Sequence, residues 1–450
     1  MTTRRDFLKN SGIITAGALL NINQFKTFIR KPSSVIVIGA GFAGLAAANY
    51  LRKKKIKVTV LEARNRIGGR VHSFNIPNED LVVELGAEWV GKSHERILTM
   101  CEEYQLELFN NQFESHLVYK GKYYGKGEWK YSEDWDLKWK DMLKKYQSMT
   151  DAQKRSIDKY DWWRYLVNHG CEGRDLEIRE LLDSTDFGES IRHVSAFAAL
   201  AEYAESSEKN EMDFKIRGGN IQLANKMATD IGHEHILMEH AVTKIEQGVN
   251  KVKVHCSNGK VFTADRIICC LPTFSVKKIQ WLPGLPPEKV NAINALQYAR
   301  INKHPVLFSE RFWPEDFDMA TDLPAHYFYH ATKNQPGDKG VLISYTIGDK
   351  AAVIANQEEG FHRTIISQAL EPAFGDITSK MQHHWNYYWG NDEFSRGAYA
   401  LYGIGQWFTI MPVLKKHFMN TYFAGEHLAD WQGFMEGAIQ SGEEAAEAIV

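Results

Sequence analysis

Residues 34 to 62 read SVIVIGAGFAGLAAANYLRKKKIKVTVLE, and three glycines and one acid in this stretch are spaced for chemistry. Gly39, Gly41 and Gly44 form G-x-G-x-x-G, and Glu62 follows further on. The first glycine permits a tight turn, the second lets backbone approach a pyrophosphate, and the third lets a helix pack closely on a sheet. Phe42 and Ala43 open that helix, where free N–H groups carry a partial positive charge suited to phosphate. Glu62 can accept hydrogen bonds from both ribose hydroxyls of an adenosine and disfavours a 2′-phosphate there. The chemistry is dinucleotide binding, with NAD and FAD both open at this point.

The elements that must position these residues are legible around them. VIVI is a short, β-branched, wholly apolar run, as a buried parallel strand requires. LAAANYLRKKK continues as a helix with small residues on its inner side, and KVTVLE is a second strand ending at the acid. Strand, glycine loop, helix, strand and acid in this order make a strong signal where the glycines alone would be weak. ARNRIGGR follows at once and supplies Ala63, Arg64, Arg66, Gly68, Gly69 and Arg70. Further on, EHAVTKIEQGVNKVKVHCSNGKVFTADRIICCLP alternates polar and apolar residues around a turn at Ser257-Asn258-Gly259. It predicts a β-meander leading to a buried strand at Ile267-Ile268.

The string from Glu62 to Arg70 resembles the E-A-x-x-R-x-G-G-R signature of FAD enzymes related to amine oxidases. ELGAEWVG (84–91) and the C-terminal YFAGEHLADWQGFMEGAIQSGEEAAEAI extend the resemblance to flavin amine oxidases: monoamine, polyamine and L-amino acid oxidases. It covers nearly all of the chain after residue 33 and is loosest from about 100 to 210. The implied fold is α/β, a Rossmann-like (GR2-type) FAD-binding domain interleaved with a mixed-sheet α+β substrate domain. The FAD domain would use 33–92, 213–292 and 386–450, and the substrate domain 93–212 and 293–385.

The resemblance also implies residue roles. The stretch holding Gly86, Ala87, Glu88 and Trp89 would run beside the flavin ring, with Trp89 facing the substrate, and Val242 would contact the adenine end. Arg70 would neutralise pyrophosphate charge or sit near the flavin. Glu426 would hold the ribityl or ribose part, while Gly433, Phe434, Met435 and Glu436 would cross the flavin. Tyr399 and Phe434 would wall an aromatic cage, Trp389 and Trp431 would line the flavin, and Lys303 would hold a water against flavin N5. Ala398 occupies the position of the cysteine that bonds the flavin covalently in mammalian monoamine oxidases, so FAD is expected to be noncovalent.

The implied reaction is hydride transfer to flavin N5 from the carbon beside a neutral amine. It gives an imine, then an aldehyde and ammonia, with molecular oxygen reduced to hydrogen peroxide. A dry aromatic cage favours the neutral amine. Venom-type L-amino acid oxidases place a carboxylate-binding arginine in the segment where Trp89 stands here, which favours an amine without a carboxylate. Arg300, Arg217 or Arg164 supplying charge from another wall keeps an amino acid substrate open. A polyamine would want carboxylates along the tunnel, Glu88 among them. Two further readings stay open: a FAD dehydrogenase using an acceptor other than oxygen, and a flavoprotein that has lost turnover.

The bulk properties fit a globular enzyme. The chain has 450 residues, 44% apolar and 24% charged, with net charge −2, so no basic excess points to nucleic acid. Five scattered cysteines without a CxxC pair argue against a disulfide framework. No metal site is expected: His383 and His384 are adjacent, and neighbouring side chains face different ways.

MTTRRDFLK followed by SGIITAGALL resembles a twin-arginine export signal, read by machinery that moves folded proteins. Residues 1–32 are assigned to it, which predicts a periplasmic protein, or a membrane-associated one if the leader stays. Apart from the leader no run is long enough to span a bilayer. Monomer and homodimer are both open.

Overall fold

Strand Ser34–Ile38 is buried almost throughout, and it lies in the middle of a five-stranded parallel sheet. The structure, a computed structural model, describes residues 31–450; the arginine pair at 4–5 and the apolar run after it lie outside the described residues. The sheet order is Thr421–Phe423, Arg266–Cys269, Ser34–Ile38, Lys57–Leu61, Ile236–Leu237. Every pairing in it is parallel. Its strands thus come from the beginning, the middle and the end of the chain.

The glycine loop behaves as its spacing predicts. Gly39 adopts φ +100°, a conformation costly for any residue with a side chain, and its N–H donates to Leu61 O at 2.8 Å. The helix that follows, Phe42–Lys53, buries Ala46, Ala47 and Ala48. A Cβ on Gly44 would stand 1.9 Å from the Gly39 carbonyl oxygen, so helix and turn touch at backbone distance. The C-terminal helix Met435–Glu447 packs against the same helix. The predicted meander forms from Val242–Gln247, Val252–Cys256 and Val261–Ala264, all antiparallel, before Arg266–Cys269 enters the parallel sheet.

An eight-stranded mixed sheet carries the second half of the fold. Its centre pairs Ile301–Phe308 with Gly340–Ile347, in register from Ile301↔Ile347 to Phe308↔Gly340, and both strands are buried along their whole length. One face looks into a large cavity. The other is covered by helix Glu359–Phe374 through Ile365, Ile366, Ala369 and Leu370. Helices Glu133–Tyr146, Asp151–Ile157, Trp162–Asn168, Gly173–Phe187 and Ala196–Glu205 form a lobe around Trp135, Trp162 and Phe197. Among the described residues no helix is long and apolar enough to cross a membrane.

Candidate active site

A cavity of about 1240 Å³ runs from the glycine loop to the mixed sheet. Its walls at one end include Gly39, Gly41, Phe42, Ala43, Glu62, Ala63, Arg64 and Val242. Glu62 is buried; one carboxylate oxygen accepts from Ala40 N (2.7 Å) and the other from Arg64 N (2.9 Å). Each oxygen keeps a second lone pair for a ribose hydroxyl. Arg64 is anchored by Asp392 and by Ser395 Oγ.

In the middle, Gly69, Arg70, Gly86 and Ala87 border the space. Arg70 donates to Glu426 Oε1 at 2.6 Å and to the Ala398 carbonyl at 2.8 Å. Glu426 also accepts from Ala400 N (3.2 Å) and, through its other oxygen, from Gly433 N (2.8 Å). One buried carboxylate therefore pins the arginine, the Ala398 strand and the Gly433 turn together. Trp389 is oriented by its Nε1 donating to Leu85 O at 2.8 Å. Phe434 and Met435 also face the cavity.

The residues fit FAD. One continuous cavity borders the residues assigned to both ends of the cofactor. The helices beginning at Phe42 and Met435 both start at its wall, and no side chain caps either one. Uncapped N-terminal N–H groups need acceptors, which a pyrophosphate and an anionic ring edge supply. No sulfur stands at position 398 to bond the ring.

Lys303 lies at the far end, 3% exposed, on strand Ile301–Phe308. Its Nζ donates to Gly86 O (2.8 Å), Glu84 O (3.1 Å) and Glu88 Oε2 (3.1 Å). Burial pushes its pKa down and Glu88 opposes that, leaving it below the ordinary lysine range. Three acceptors around one nitrogen nevertheless fix the ammonium form, because a neutral amine has only two N–H groups to give. With all three occupied, holding a water would require exchanging one of these bonds.

Glu88 is more committed than its sequence suggests. Lys215 Nζ donates to it at 3.0 Å, Lys303 at 3.1 Å, and the Tyr329 hydroxyl as well. Burial raises its pKa, but the two lysines overcome this and hold it below the usual carboxylate range. Its charge is therefore already matched by two lysines, which leaves it a poor partner for a polyamine. Lys215, buried in the short strand Phe214–Ile216, gave no sign in the sequence.

Two placements differ from expectation. Glu436 does not reach the cavity: its carboxylate accepts from Arg96 N and Ile97 N, both at 2.9 Å, and caps helix Glu95–Glu103. It sits one residue beyond Met435 on the same helix, about 100° round the axis, and so points away from the cavity to a different neighbour. Trp431 packs edge-on against His94 and Phe434 and is not among the cavity-lining residues.

The substrate end is aromatic and acidic. Tyr399, Phe434, Trp89, Tyr327 and Tyr345 line it. Tyr399 and Phe434 are not packed on each other: Phe434 meets His94 at 5.0 Å, and the Tyr399 hydroxyl donates to the Asp186 carbonyl at 2.7 Å. Helix Gly173–Phe187 contributes Arg179, Asp183 and Asp186. Arg179 pairs with Asp183 at 3.1 Å and stacks on Trp139 at 3.4 Å, so its charge is spent. Asp186 faces the chamber, surrounded by protein without being covered. Its carboxylate accepts from Tyr203 Oη (2.8 Å) and Asn210 Nδ2 (3.0 Å), and burial, then Asp183, push its pKa up to about 7. Asp318 also lines the chamber, with Oδ1 buried and unbonded.

The three arginines left open by the sequence are elsewhere. Arg300 is held by Glu189 and Asp349, Arg217 by Glu107, and Arg164 lies over Trp163. None of them lines the cavity.

Residues 42–450 match the family model described as flavin containing amine oxidoreductase. An L-amino-acid oxidase of Echis ocellatus is 27% identical, covering 93% of this chain and 89% of its own. The human amine oxidase [flavin-containing] B is 26% identical, covering 92% and 86%. Among solved structures, a putrescine oxidase described with putrescine bound superimposes with a TM-score of 0.82 at 22% identity, covering 93% of this chain and 98% of that one. The cyclohexylamine oxidase from Brevibacterium oxydans IH-35A gives 0.83 at 19%, with the same coverage. The motif-bearing cavity and these matches agree, and the chain belongs to the flavin containing amine oxidoreductases, FAD-dependent enzymes that act on amines.

Proposed function

We propose that this enzyme oxidises a primary or secondary amine that carries no carboxylate, with molecular oxygen as the acceptor. The observation that carries this reading is the charge of the substrate chamber. Asp186, Glu202, Glu208 and Asp318 line it, while Arg179 and Asp183 cancel each other as a pair and Lys303 is locked on Glu88. A substrate carboxylate would be desolvated among acids with no free cation to receive it, at a cost of several kcal/mol. An ammonium meets the opposite field. The Asp186 and Asp318 carboxylates also suit a second cationic group on the substrate.

FAD, bound along the cavity, supplies the two-electron oxidation. The chain's residues prepare the substrate for it. Asp186 attracts the ammonium, and its pKa near 7 lets it take a proton from the amine as the amine enters the aromatic region. Tyr399 and Phe434 exclude water and restrict the neutral amine to a slot in front of Gly433. The Lys303 ammonium keeps a fixed positive charge at the cavity wall, where it favours charge developing on oxygen.

The resemblance of residues 1–32 to a twin-arginine leader supports a further reading: the enzyme is exported folded, with FAD inside, to the periplasm. For the substrate, the test is anaerobic mixing of purified yellow enzyme with aromatic monoamines, diamines and L-amino acids. Loss of visible absorbance with carboxylate-free amines, restored by air, is expected. Bleaching by L-amino acids alone would overturn the reading.

A further inference from the structure

Lys303 has a neighbour that faces the other way. Side chains alternate along a strand, so His304 leaves the cavity face and enters the layer under helix Glu359–Phe374. There it meets His362 from that helix and His384 from the edge strand Met381–His384. One ring nitrogen from each of the three lies within 4.8 Å of the others. His304 and His362 are buried, and the His384 side chain, on the edge strand of the sheet, is only 7% exposed. The sequence argument against a metal site concerned only His383 and His384 as neighbours; the cluster instead joins three separate elements.

We propose that His304, His362 and His384 form a binding site for one divalent ion of the zinc class, remote in function from amine oxidation. The outer contacts are those of metal-bound histidines. His362 Nε2 lies 2.6 Å from the Ile354 carbonyl, which can only accept, so Nε2 carries the proton and Nδ1 keeps its lone pair. His384 Nε2 is buried without a hydrogen bond and lies 3.3 Å from Glu359 Oε1, so a small turn of this exposed carboxylate would orient the ring and leave Nδ1 as the ligand. His304 Nε2 and that Nδ1 are 2.8 Å apart and share a proton in the ion-free form. An ion replaces this proton, with His304 as its Nδ1–H tautomer. These two nitrogens then open, and the cluster, whose ligand atoms spread up to 4.8 Å, draws together to about 3.3 Å, the separation that tetrahedral bonds of about 2.0–2.1 Å require. Three imidazoles hold the ion, and a fourth position is left for a water. The bound ion would fasten helix and edge strand to the back of the strand that carries Lys303.

The test uses holoenzyme stripped with a chelator and then titrated with Co²⁺, whose ligand-field bands in a tetrahedral nitrogen site lie to the red of flavin absorption. One equivalent per chain is expected, displaced by Zn²⁺, with a rise in the thermal midpoint. His384→Ala should abolish the bands. Glu359→Gln, at an exposed position that the fold does not need, should weaken binding about 10–100-fold. Absence of uptake at a tenfold excess of Co²⁺ would overturn the proposal. So would uptake undiminished in His384→Ala, which would place the ion elsewhere, for example at His233 and His235.

Discussion

At the scale of single residues, the site depends on a few buried charges whose partners are countable. Glu88 is served by two lysines, so either one alone still neutralises it. Lys303→Met and Lys215→Met should each cost about 1–3 kcal/mol of stability. The double variant strands the carboxylate and should cost clearly more than the sum. Adding Glu88→Gln should restore part of the loss. Denaturant midpoints of the four proteins measure this, and additive losses would mean that Glu88 is not the shared partner. Asp186 titrates where pH profiles can see it. Its pKa is raised from 3.8 to about 7 by burial and Asp183. The folded form therefore holds a proton that the unfolded form has lost, and the stability tied to Asp186 falls as pH rises from about 4 to 7. Activity moves the other way, because the ionised form receives the ammonium. kcat/KM for a carboxylate-free amine should rise through pH 7, and Asp186→Asn should remove that limb while leaving the visible flavin spectrum unchanged. An unaltered limb in the variant would assign it to another group.

Elements explain which parts of the site were legible in the sequence. The glycine loop and Glu62 were, because their geometry is local: one turn and one helix start decide where those residues go. The meander was legible for the same reason, through alternation and an Asn-Gly turn. Lys215, Tyr329 and Asp186 were not. Asp186 reaches the cavity, and Lys215 and Tyr329 reach Glu88 behind its wall, through pairings with strands or helices far along the chain, and a lysine between Phe214 and Ile216 carries no local mark of its burial. Glu436 shows how motif reading can miss by one step, since a helix turns each successive side chain about 100° away. Its carboxylate ties the C-terminal helix to helix Glu95–Glu103 by capping the latter's Arg96 and Ile97 N–H groups. Glu436→Ala should thus cost about 1–2 kcal/mol of stability, as loss of an N-terminal cap does. FAD affinity should stay near that of the parent, measured by flavin fluorescence on dilution. A large loss of affinity with little loss of stability would return Glu436 to the cofactor.

For the whole molecule, the order of the chain decides when the cofactor can be held. The parallel sheet needs strands 34–38, 266–269 and 421–423 side by side, and the cavity draws Gly41, Val242 and Glu426 from the same three regions. No partial chain contains the site, and no bond at Ala398 would keep FAD attached to an unfolded one. Acid precipitation of the holoenzyme should release all of its yellow colour into the supernatant. Bound FAD in turn stabilises the fold by mass action, by about 2.7 kcal/mol at a hundredfold excess over the dissociation constant. Export in the folded state, which we propose from the twin-arginine-like start of the chain, would suit such a molecule, since a route requiring an unfolded chain would strip the cofactor at the membrane. Replacing Arg4 and Arg5 by lysine should leave yellow, active enzyme inside the cytoplasm and none outside. Export of holoenzyme at the parental level from that variant would show that the arginine pair is not the address, and that FAD is loaded by some other sequence of events.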